Sequence, residues 1–136
     1  MTRDDFHAKP LLDPTVVDRL RDELDDSDGV WSAFLHNFIA LLPDRTERLR
    51  LTLTTGDLAG ALDSVLSLKT SSQMVGAERL AELAFDLERS LRSGADAEPE
   101  RILPKLAVAH LRPILKCEQQ TANLLSRYLR DQAGDE

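Results

Sequence analysis

Leu80, Leu83, Ala84, Leu87 and Leu91 recur at alternating steps of three and four residues. That spacing gathers all five on one side of an α-helix and would split them between the two faces of a strand. Four other segments carry a helical rhythm. Val17, Leu20 and Leu24 mark the first, and Trp31, Phe34, Leu35, Phe38 and Leu42 the second, which resumes through Leu49 and Leu53. Leu58, Ala61, Leu62, Val65, Leu68 and Ser72 mark the third, while Leu103, Leu106, Ile114, Leu124, Leu125 and Tyr128 run along the fifth. No strand alternation, tandem repeat or low-complexity block interrupts them. Helices with one apolar stripe are not stable singly in water, so the stripes must be buried against each other.

The punctuation agrees with this division. Asp13-Pro14 reads as an N-cap followed by proline at the first helical position. Asp25-Asp26-Ser27-Asp28-Gly29 ends that first helix with turn chemistry. Pro43 lies inside the second stripe and is expected to kink or split it. Thr54-Thr55-Gly56-Asp57 reads as a stop followed by a new N-cap. Met74-Val75-Gly76 closes the third helix, and the fourth starts at about Ala77. Ser93-Gly94-Ala95-Asp96 is read as a loop, after which Glu98-Pro99-Glu100 opens a long fifth helix that Pro113 should bend. Short connections favour antiparallel neighbours. The expected architecture is all-α: an antiparallel up-and-down four-helix bundle with an additional short N-terminal helix. It occupies one domain, residues 1–136, with flexible ends at 1–10 and 131–136.

Composition narrows the function. With 24 acidic against 17 basic residues, the formal charge is −7. Such a surface repels phosphate backbones, so no nucleic-acid partner is expected. No membrane partner is expected either, since no apolar run approaches a bilayer span and Met1 to Pro10 lack a hydrophobic signal region. A cytoplasmic monomer is the expectation. Cys117 is the only cysteine and excludes an internal disulfide; it reads as a small buried hydrophobe. His7, His36 and His110 are scattered, so no metal and no cofactor are expected. There is no glycine-rich phosphate loop and no nucleophile triad.

One stretch carries more information than periodicity: Leu66-Ser67-Leu68-Lys69-Thr70-Ser71-Ser72-Gln73-Met74-Val75-Gly76-Ala77. It resembles the signature of histidine-containing phosphotransfer (HPt) domains, His-x-Leu-Lys-Gly-Ser-(Ser/Ala) followed by a spacer and Gly-Ala. Leu68, Lys69, Ser71, Ser72, Gly76 and Ala77 fit it. The resemblance extends to Leu12-Asp13-Pro14, to the phenylalanine-rich second helix with Pro43, and to the Thr55-Gly56-Asp57 turn, and so covers nearly the whole chain. It implies a helical bundle that passes a phosphoryl group between receiver-domain aspartates. Two positions depart from the pattern. Leu66 stands where the family has its phosphoacceptor histidine, and Thr70 stands where the family has glycine.

Leucine offers no nucleophilic atom, so Leu66 marks a degenerate phosphoacceptor position and no catalytic residue is expected. On a helical wheel it lies roughly 110° from the centre of its apolar stripe, at about 100° per residue. It is either a partly exposed docking centre or a flank residue covered by a neighbour. Lys69, which the resemblance assigns to balancing phosphoryl charge, could equally lay its stem over apolar surface. Thr70 narrows the approach that glycine leaves open, or is a surface choice. Ser71, Ser72 and Gly76 suit close helix packing and a turn.

The resemblance therefore implies a pseudo-HPt signalling protein. It would bind a response-regulator receiver domain or a histidine kinase and modulate a two-component phosphorelay without carrying phosphate. Histidine-less relatives exist in plants. The expected partner-binding residues are Ala59, Leu62, Asp63, Leu66, Lys69, Thr70 and Gln73. Two other readings remain: an HPt-fold adaptor or homodimer that reuses the former acceptor surface, and an active phosphotransferase with a displaced histidine, His36 or His110.

Overall fold

The computed structural model describes residues 9–24, 29–94 and 98–134. These form five helices, α1 Pro14–Leu24, α2 Val30–Thr54, α3 Leu58–Met74, α4 Glu78–Ser93 and α5 Pro99–Gly134, with no strand among the described residues. Four of them close a ring: α2 packs on α3, α3 on α4, α4 on α5, and α5 back on α2. Cross-helix contacts give the directions. Arg48 of α2 meets Asp63 of α3, and Lys69 of α3 meets Glu88 of α4. Thr46 of α2 reaches Glu118 of α5. Each neighbour is antiparallel to the last, as the short connections require.

The stripes meet in one core. Trp31, Leu35, Leu42, Leu49, Leu53, Leu68, Leu80, Leu87, Leu91, Ile114 and Leu125 are fully buried. Leucine supplies most of it because aromatic residues are only 4% of the chain. Polar residues share the interior: Ser64, Ser72 and Thr121 are buried too. Thr46 is buried on the α2–α5 seam, where its hydroxyl lies 3.1 Å from the Leu42 carbonyl and 3.0 Å from Glu118 Oε1. Burial pushes the Glu118 carboxyl pKa up, and the Thr46 hydrogen bond opposes that shift.

Pro43 does not split α2, and neither Pro104 nor Pro113 divides α5. Pro43 and Pro113 lie on exposed faces. The carbonyl that each leaves unbonded one turn earlier therefore points to the water side of its helix. The fifth helix continues to Gly134, beyond the Asp131 at which a flexible tail was expected. The Asp25–Asp28 part of the first turn, Ala95 and Asp96 of the fourth loop, and residues 1–8 and 135–136 of the expected flexible ends lie outside the described residues.

Both caps read from sequence are formed. Asp13 Oδ1 accepts from the Thr15 amide at 2.9 Å and Asp57 Oδ1 from the Gly60 amide at 3.0 Å. The two tight turns are each clamped from outside. Gly56 has φ +73, and a Cβ there would fall 2.8 Å from Glu100 Cα at the start of α5. Gly76 has φ +80, and a Cβ there would lie 3.0 Å from Val16 Cβ and 3.2 Å from the Asp13 carbonyl oxygen. The Gly76 carbonyl accepts from the Asp13 amide at 2.8 Å, while Arg79 Nε donates to the Lys9 carbonyl at 2.7 Å. So α1 is strapped over the α3–α4 turn.

Gly76→Ala should therefore cost roughly 1–3 kcal/mol, from the left-handed backbone and from the displacement of α1. Urea unfolding measures it. A loss within ~0.5 kcal/mol, the range of a plain surface substitution, would mean that α1 does not press on this turn.

Candidate functional site

The outer side of α3 is a ridge, because its inner side is committed to the core by Ala61, Ser64, Val65, Leu68 and Ser72. Residues about seven apart stack along that ridge, and residues three or four apart flank it. All seven sequence-derived candidates fall on it. Ala59, Asp63, Thr70 and Gln73 are exposed, whereas Leu62, Leu66 and Lys69 are half-buried. Of the two placements that the sequence leaves open for Leu66, its intermediate burial matches the partly exposed one. It shows part of its side chain at the middle of the ridge.

Charge divides the flanks. Toward α2, Asp63 pairs with Arg48 at 3.0 Å, with both side chains well exposed. Exposed pairs of this kind contribute little stability. Toward α4 the arrangement is tighter. Lys69 Nζ donates to Glu88 Oε1 at 2.7 Å, and Arg92 Nε donates to Glu88 Oε2 at 2.9 Å. The Glu88 side chain is only 9% exposed and that of Lys69 20%. The Lys69 hydrogen bond holds the Glu88 carboxyl below the usual carboxylate range; burial opposes it and Arg92 reinforces it.

Phe85, one turn before Glu88 on α4, remains 45% exposed. Lys69 Nζ lies 5.5 Å from its ring centre and the Arg89 guanidinium 5.8 Å. Both are within cation–π range. Beyond Phe85 the surface opens into a groove of about 520 Å³ whose lining includes Gln73, Gly76, Ala81, Glu82 and Arg89.

Sequence reading missed Glu88 and Phe85. The Glu88–Arg92 pair has the i, i+4 spacing that a sequence can reveal. The Lys69–Glu88 pair depends on the register of α3 against α4, which the periodicity of one helix does not contain. Ser72 is buried with its hydroxyl unpartnered, and Gly76 is fixed by its turn, so both act in packing.

The other reactive side chains lie off the ridge. His36 is exposed on α2. His110, half-buried on α5, lines a shallow pocket with Asp86, Arg89, Ser90 and Ser93. Burial pushes its imidazole pKa down, and the Asp86 charge works the other way. Cys117 is buried 3.7 Å from the Thr121 hydroxyl, and burial pushes its thiol pKa up, away from reactivity. Among the described residues no group of histidine, cysteine, aspartate and glutamate could hold a metal ion, and no helix is long and apolar enough to cross a membrane.

A protein of known structure shares this architecture. The chain is similar to histidine-containing phosphotransfer protein B (HptB) from Pseudomonas aeruginosa PAO1 in its crystal structure, with a TM-score of 0.74 and 22% identity. The match covers 91% of this chain and 98% of that one. No curated protein matches significantly by sequence. The family model described as Hpt domain matches residues 33–129, which include all of α3 and α4 and the ridge between their clamped turns. The chain belongs to the Hpt domain family.

Proposed function

We propose that this Hpt-family chain is a pseudo-phosphotransfer module, which docks a receiver domain or a histidine kinase and modulates a phosphorelay without carrying phosphate. One observation carries the reading: Leu66, which the signature resemblance puts at the phosphoacceptor position, lies in the middle of the outer ridge of α3 and is still partly exposed. A nitrogen lone pair is what a phosphoramidate needs, and leucine has none. What the ridge offers instead is a partly apolar centre with a polar rim of Asp63, Lys69, Thr70 and Gln73, the common composition of a docking surface.

The displaced-histidine reading gains nothing from the neighbourhoods of His36 and His110. His36 has no lysine one turn away, and His110 lies off the ridge, in a pocket where the Asp86 carboxylate and the Arg89 guanidinium oppose each other's charge.

The test has two parts. Receiver domains from one proteome are passed over the immobilised chain, and a receiver should be retained. The chain is then incubated with that receiver in its phosphorylated form and probed for acid-labile, base-stable label. No label is expected. Stoichiometric label at His36 or His110 would make the chain a transferase and end the pseudo-module reading.

A further inference from the structure

The only cation of α3 is Lys69. It and Arg92 each meet a different oxygen of the Glu88 carboxylate, while Lys69 and Arg89 both lie over the ring of Phe85. Three cations therefore gather on the α4 side of Leu66, and a buried anion of the chain itself sits against two of them. An incoming phosphoryl group would make the same demand on these groups: anionic oxygens accepting charge-assisted hydrogen bonds from Lys and Arg.

We propose that Glu88 acts as an internal anion that keeps Lys69 closed to phosphate, so that the ridge reads a partner's shape and not its phosphorylation. This rests on the docking reading above and names its specificity. Two features favour Glu88 in the competition. It is covalently tethered and already 2.7 Å from Lys69 Nζ, so it needs no encounter to reach it. It is also already desolvated, with a side chain 9% exposed, whereas a phosphate would have to shed water to take its place.

The test uses the full chain and inorganic phosphate, followed by NMR at the amides of Leu66, Lys69 and Thr70. Wild type should show no saturable shift that depends on Lys69. E88Q keeps the shape and removes the charge. It should bind phosphate at least about tenfold more tightly, the scale of one lost charge-assisted hydrogen bond. The gain should vanish in the double variant K69M/E88Q. If E88Q fails to fold, E88M, also similar in volume, takes its place. A saturable wild-type shift that K69M removes would overturn the proposal, as would a folded E88Q without the gain. The titration needs no partner protein, so a pull-down that retains no receiver would defeat the docking reading while leaving this result standing.

Discussion

Leu66→His combined with Thr70→Gly should make residue 66 a phosphoryl acceptor. The expected step is attack by the new imidazole nitrogen on the phosphorus of a receiver's aspartyl phosphate. A P–N bond forms, the P–O bond breaks, and the aspartate leaves as carboxylate. The fold supplies the setting: residue 66 is at the middle of the α3 ridge and partly exposed, and Thr70 is exposed one turn on. Removing the threonine side chain clears the approach. The double variant should label about tenfold faster than Leu66→His alone, which corresponds to ~1.4 kcal/mol of barrier. Equal rates would show that Thr70 is not a steric block. Absence of label in both would mean that the receiver-docking surface has itself been lost.

The second large effect is on binding. Leu66→Asp should weaken partner binding by about a hundredfold or more, because docking would bury a carboxylate with no assured partner at a cost of a few kcal/mol. Folding should barely notice. Leu66 is not part of the buried core, and substitutions at such positions usually change stability by well under ~1 kcal/mol. Calorimetric titration against the retained receiver gives the first number and a thermal melt the second. A variant that unfolds would identify Leu66 as a structural flank residue. One that folds and binds normally would move the interface elsewhere on the bundle.

The contrast between those two variants and Glu88 indicates what a sequence can reveal here. Apolar spacing places Leu80, Leu87 and Leu91 in the core, and local hydrogen-bonding chemistry places Asp13 and Asp57 at helix starts. Both depend on residues within a turn or two of each other, so they are legible in one dimension. The ridge around Leu66 follows by subtraction, since the outer face of α3 is whatever the stripe does not use. Glu88 does not follow. Beside Leu87 it reads as a solvated charge, and only the α3–α4 register brings Lys69 19 residues away in sequence to within 2.7 Å. Ser64 and Thr121 were hidden for a related reason: a small polar residue can enter a core when its hydroxyl finds a partner nearby. Ser64 has the Arg45 carbonyl at 3.5 Å and Thr121 the Cys117 sulfur at 3.7 Å.

The two clamped turns have a mechanical consequence. Gly56 abuts the start of α5 and Gly76 is strapped by α1, so α3 is pinned at both ends while its outer side stays open. A helix held in this way can neither slide nor roll when something lands on its middle. Association should then be a rigid-body event, with interface backbone shifts of about 1 Å or less and little ordering entropy lost on this side. Any adaptation must come from the partner, and the bundle behaves as an anvil whose face can be rewritten one side chain at a time without reshaping the block beneath it.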